Sequence, residues 1–124
     1  MEKLSTKWFR KWAKKVALKN DNLLEAIENL QNGLSTANLG SSLYKVRVNR
    51  PHSGKSSGFR TIIVYKGNDK AVFLYGFEKN EKDNISKTEL EYFKKLGKDL
   101  ISLNKDQIEK SLEQQILFDL EIEK

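Results

Sequence analysis

The chain has 124 residues, of which 38% are hydrophobic and 32% charged, the composition of a single globular domain spanning 1–124. Lysine and arginine outnumber the acids 23 to 17, a net charge of +6 that points to a polyanionic partner, nucleic acid first. The absence of cysteine excludes disulfides, thiolate zinc sites and a cysteine nucleophile, and a single histidine, His52, argues against a histidine-based metal site and a two-histidine nuclease.

Residues 1–19 hold seven basic side chains and one acid. Trp8, Phe9, Trp12, Ala13 and Val16 recur at spacings of three and four, which predicts an amphipathic helix with a basic outer face. Its tryptophans read as core residues; the alternative is stacking on nucleic-acid bases. A second helix is predicted from about Asn22 to Gln31, capped by Asn22 and stopped by Gly33. The polar stretch from Ser35 to Ser42 reads as a linker. No run approaches the ~18 apolar residues of a membrane span. The N-terminal segment lacks the apolar region of a secretion signal, so a cytoplasmic location is expected.

The stretch from Tyr44 to Lys66 is the electrostatic centre of the chain. It carries Lys45, Arg47, Arg50, Lys55, Arg60 and Lys66 and no acid. Leu43 to Asn49 alternates apolar and polar, as a half-buried strand does. A small-residue loop follows from Arg50 to Gly58, and then a β-branched strand from Phe59 to Tyr65. Lys66 to Lys70 has turn composition and leads to a third strand, Ala71 to Phe77, apolar enough to be covered on both faces. These three form an antiparallel meander, with Gly76 marking a bulge or a close backbone approach. Ser86 with Glu89 is a capping box for a helix running to about Ser102, and Asn104 with Gln107 starts a shorter one. The tail alternates from Phe118 and could add a fourth strand. The expected class is therefore α+β: two N-terminal helices, a three- to four-stranded antiparallel sheet and C-terminal helices.

Chemistry narrows by elimination. Ser53-Gly54-Lys55-Ser56 resembles the end of a P-loop, but the required earlier glycine is Asn49 and a strand follows where a helix should open. No acidic cluster lies near the basic stretch at two-metal spacing, and no cofactor is called for. What remains is phosphate chemistry run by fixed cations. RNA supplies its own 2′-hydroxyl nucleophile, a guanidinium can stabilise a pentacoordinate phosphoryl group, and a crowded lysine such as Lys55 has its pKa pushed down towards use as a base.

Leu43 to Pro51 and Gly54 to Thr61, followed by Phe73 to Ile85, closely resemble a branch of the bacterial RelE/ParE toxin superfamily. These are RelE-like or HigB-like toxins of type II toxin–antitoxin modules, and the similarity runs from about Trp8 to Leu112. The resemblance implies a RelE-like microbial RNase fold. It also implies an mRNA interferase that cuts mRNA, usually in the ribosomal A site, by 2′-hydroxyl attack leaving a 2′,3′-cyclic phosphate. By that resemblance Arg60 is the strand arginine that stabilises the transition state. Lys55 is the loop lysine of phosphate binding or proton transfer, and Lys79 the basic residue near the end of the third strand. Lys45, Arg47 and Arg50 are implied to grip RNA. The implied partners are mRNA and a cognate antitoxin, commonly a helix-turn-helix protein. His52 and Ser53 depart from the branch, where those positions are more often glycine or small and polar. Three alternatives stay open: a gyrase-inhibiting ParE-like toxin, a non-catalytic RNA- or ribosome-binding module, and His52 in place of Lys55 as the proton-transfer group.

Overall fold

The computed structural model describes residues 1–49 and 58–122. In chain order the elements are β1 (Glu2–Thr6), α1 (Lys7–Lys15), α2 (Asn20–Gln31), β2 (Thr36–Gly40), β3 (Leu43–Val48), β4 (Phe59–Lys66), β5 (Lys70–Glu78), α3 (Lys87–Ile101), α4 (Lys105–Glu113) and β6 (Leu117–Asp119). The strands make one sheet in the order β2-β3-β4-β5-β1-β6. All neighbours are antiparallel except β1 and β5. The α+β class and the β3-β4-β5 meander follow the sequence pattern. The sheet has six strands rather than three or four.

The additional strands are ones that local patterning hides. β1 contains one large apolar residue, Leu4, so no alternation is visible, yet Leu4 is buried beside Val72 of β5. β2 lies within the stretch read as a linker. It is an edge strand held by backbone pairing to β3, so it has little need of an apolar face. Its turn into β3 places Ser41 and Ser42 at φ 55° and 63°, the left-handed pair that a tight hairpin demands.

The helix ends follow from local chemistry. Thr6 caps α1 by accepting from the Phe9 N–H at 3.2 Å. α2 begins two residues before the predicted cap: Asn22 sits inside the first turn, and its Oδ1 accepts from the Lys19 N–H at 3.1 Å. Gly33, at φ 69°, ends α2 as predicted. The capping boxes Ser86/Glu89 and Asn104/Gln107 both form.

Two cores flank the sheet. Phe9, Ala13, Leu23, Ile27 and Leu30 of α1 and α2 pack on Val46, Val48, Phe59, Ile63 and Phe73. Phe93 of α3 and Ile108 of α4 pack on Leu4, Leu43, Ile62, Val64, Val72 and Leu74. β5 is buried between them, as its apolar run predicts. A bulge interrupts it: Ile62 pairs with Tyr75 and Ile63 with Phe73, leaving Leu74 unpaired. Leu74 and Tyr75 consequently both belong to the α3/α4 face. Among the described residues no helix is long and apolar enough to cross a membrane.

Candidate phosphate-binding site

The cations predicted on β3 and β4 share one face. Val46, Val48, Phe59 and Ile63 belong to the α1/α2 core, so the alternating positions Lys45, Arg47 and Arg60 lie on the opposite face. Register places Arg47 directly opposite Arg60, and Arg60 opposite Phe77. The next row along the sheet is Lys45, Ile62 and Tyr75. Lys45, Arg47 and Arg60 are all half-buried.

α3 covers this face at its other end. Its Gly97 would meet Val64 Cγ2 at 3.1 Å and Leu43 Cδ1 at 3.8 Å if it carried a Cβ. Leu43 lies four residues before Arg47, about 13 Å along an extended strand. The cationic row is thus left beyond the helix that shields the rest of the face.

The two guanidiniums converge on Gly58. A Cβ at that residue would lie 3.5 Å from Arg47 Nε and 3.6 Å from Arg60 Nη1. Lys79 is drawn to the same corner, because its N–H donates to the Gly58 carbonyl at 3.4 Å, and its side chain is exposed. Arg60 Nη1 also donates to the Phe59 carbonyl at 3.4 Å. Among the described residues Arg60 makes no ion pair. Its pKa is lowered from the usual arginine value, first by burial and then by the charge of Arg47. It stays protonated, but two like charges opposite one another in a partly desolvated place cost stability that an anion between them would offset.

The remaining predicted residues divide. Arg50, His52 and Lys55 lie outside the described residues. Lys66 is six residues from Arg60 at the far end of β4, about 20 Å away along the strand, so it does not join this corner. Among the described residues no group of three or more His, Cys, Asp or Glu side chains is placed to hold a metal ion.

Three features of the site were not singled out in the sequence. The first is Gly58, whose missing side chain lets both guanidiniums close over the strand start. The second is an aromatic run beside them: Tyr75 and Phe77 rings lie 6.0 Å apart, and Tyr75 lies 5.0 Å from Phe93. The third is Lys82. Its ammonium donates to both Glu89 carboxylate oxygens at 2.6 Å and to the Tyr75 hydroxyl at 3.4 Å. It also sits 5.2 Å from the Tyr75 ring centre. The capping box was legible, but Glu89's second role, holding Lys82 against Tyr75, depends on how the charged segment after β5 folds back.

This pair makes a pH prediction. Glu89 has its pKa lowered, first by the Lys82 hydrogen bond and next by the Ser86 N–H. Its contribution to stability is therefore fully present above the ordinary carboxylate pKa, about 4.3, and is lost as pH falls through the lower folded value. Lys82 is raised, first by Glu89, so its contribution disappears only as pH rises above the ordinary lysine range. Glu89→Gln should destabilise the protein at pH 7 and show a smaller loss of stability between pH 5 and 3, measured by urea denaturation. Equal acid slopes in the two proteins would remove Glu89 from this role.

A sequence profile described as the RelE toxin of the RelE / RelB toxin-antitoxin system matches residues 1–120. No curated protein matches the chain at a significant level.

Proposed function

This chain belongs to the RelE toxin family of type II toxin–antitoxin systems, and we propose that it is a metal-independent endoribonuclease that cuts mRNA on the ribosome. Family membership implies a cognate antitoxin. RelE-family toxins are generally ribosome-dependent endoribonucleases. The observation that carries the reading for this chain is the meeting of Arg47 and Arg60 at Gly58, with the Lys79 backbone bound to the same glycine.

In this reading the scissile phosphate sits against the two guanidiniums. The 2′-hydroxyl oxygen attacks phosphorus, the bond from phosphorus to the 5′-oxygen breaks, and a 2′,3′-cyclic phosphate and a 5′-hydroxyl are left. Arg60 stabilises the charge that develops on the phosphoryl oxygens. A base takes the 2′-hydroxyl proton and an acid supplies one to the departing oxygen; Lys55 and Lys79 are assigned to these steps or to holding the phosphate. Lys45, Arg47 and Arg50 grip the flanking backbone. The neutralising partner is an antitoxin, of helix-turn-helix type, that covers the cationic corner with acidic residues. The setting is cytoplasmic, where translated mRNA is found.

Induction in cells followed by mapping of RNA 5′ ends, with and without ribosomes, tests this. Discrete new 5′-hydroxyl ends within translated messages are expected. Intact mRNA with supercoiling defects would instead identify a gyrase poison, and steeply salt-dependent binding with no cyclic phosphate would identify a passive RNA binder. A pH–rate limb near the histidine pKa that disappears in His52→Ala would assign proton transfer to His52 rather than Lys55. Gly58→Val gives a sharper check of the geometry. The added side chain would lift both guanidiniums from their places, and a misplacement of about 1 Å costs on the order of 10²-fold in rate. The fold should persist at a cost of about 1–3 kcal/mol.

A further inference from the structure

Trp8 was expected in the core, yet it is 49% exposed. The reason is where β1 stops. β1 pairs with β5 only as far as Ser5 opposite Phe73, and α1 begins at Lys7. Beyond that point Trp8 stands beside β5. Its ring stacks on Tyr75 at 4.7 Å and 29°, and lies 6.4 Å from Trp12 at 10°. Trp12 belongs with the α1/α2 core and Tyr75 with the α3/α4 core, so the two indoles clasp the margin of β5 from its two faces. Trp8 is therefore held by two ring contacts while about half of the residue's surface stays exposed.

We propose that Trp8, seated on Tyr75, is a stacking platform for an unpaired base of a single-stranded polynucleotide whose phosphate lies at Arg47 and Arg60. This rests on the phosphate site described above. Three observations favour a nucleotide base as the occupant. Tyr75 is two residues from Phe77, which is registered against Arg60, so the platform and the cationic corner are neighbours on one face. α1 carries Lys7, Arg10, Lys11, Lys14 and Lys15 and no acid, and Lys7 and Lys11, one residue before and three after Trp8, are exposed. A fixed aromatic ring flanked by cations is the pairing that holds single strands, because every base has a π-face and every linkage a negative charge. Lateral separation of Arg60 and Trp8 is about two strand spacings, roughly 10 Å, short enough for neighbouring nucleotides of one strand to reach both.

The probe is a short single-stranded RNA made uncleavable by 2′-O-methyl groups, with binding to the full chain read by fluorescence anisotropy. Trp8→Ala should weaken binding about tenfold or more, while Trp8→Phe retains most of it. The slope of affinity against salt should not change, because no phosphate contact is removed. An abasic nucleotide moved along the RNA should reproduce the loss at one position on the wild-type protein and add nothing there on Trp8→Ala. The abasic series needs no altered protein, so it decides the matter even where Trp8→Ala folds poorly. Wild-type affinity in Trp8→Ala, or an abasic loss independent of position, overturns the proposal. So does impaired neutralisation by the antitoxin with RNA affinity intact, which would make Trp8 a protein contact. Failure of the nuclease reading shows separately, as stacking on this probe while translated mRNA on ribosomes stays uncut.

Discussion

Arg60→Ala is expected to abolish growth inhibition and to lower RNA cleavage by about 10³-fold or more, the scale seen when a preorganised charge at a phosphoryl transition state is removed. Arg60→Lys should recover only part of this, because an ammonium cannot reproduce the planar two-donor geometry. The same substitution should leave the fold intact. Arg60 is half-buried opposite Arg47, and its charge is disfavoured there by burial and by that neighbour. Its hydrogen bond to the Phe59 carbonyl, at 3.4 Å, is long. Removing the guanidinium therefore relieves a repulsion, and urea denaturation should find the variant as stable as the wild type or slightly more so. Function lost without stability lost is the signature of a group kept for its chemistry. Undiminished toxicity would refute the catalytic role, and a large loss of stability would make Arg60 a structural residue.

Gly76→Ala is expected to destabilise the protein by about 3 kcal/mol, the upper part of the range for overpacking a core. For a domain of this length that lowers Tm by roughly 10 °C. A Cβ at Gly76 would stand 2.2 Å from Trp12 Cζ3 and 2.6 Å from both Cε3 and Cη2. Trp12 has little room to retreat: Phe59 meets it edge-on at 5.4 Å and Phe9 lies at 5.5 Å. A double-mutant cycle with Trp12→Leu should show the two changes to be strongly non-additive, because the smaller side chain vacates the space that the methyl needs. Additive effects would mean that the cost does not come from the clash with Trp12. Trp8 stacks beside Trp12, so a displaced Trp12 should also weaken RNA binding through Trp8.

Gly76 shows how far sequence reading extends. An interior strand glycine signals a bulge or a close approach; Gly76 itself pairs regularly with Thr61, the bulge lies two residues away at Leu74, and what Gly76 marks is the close approach of Trp12. Which aromatic residue came close was not legible, because Trp12 is 64 positions away in the chain. The two tryptophans illustrate the same limit. Helical periodicity put both on an inward face, and Trp12 does pack against the core. Trp8 does not, because β1 occupies the first residues and ends one position before the helix starts, which leaves the first turn at the margin of β5.

Period and capping chemistry alone determined the helices, the three-stranded meander, the covered β5 and the concentration of cations on β3 and β4. These are local properties: alternation sorts side chains to two faces, and a capping box is written within four residues. Only the tertiary structure decided that the sheet has six strands, since β1 is held by backbone hydrogen bonds to the remote β5 and β2 by backbone pairing at the sheet edge, and neither needs a pattern of its own. It alone decided which cations meet. Register set Arg47 against Arg60 and left Lys66 at the other end of the same strand, and pairing between strands is a relation that no single stretch of sequence contains.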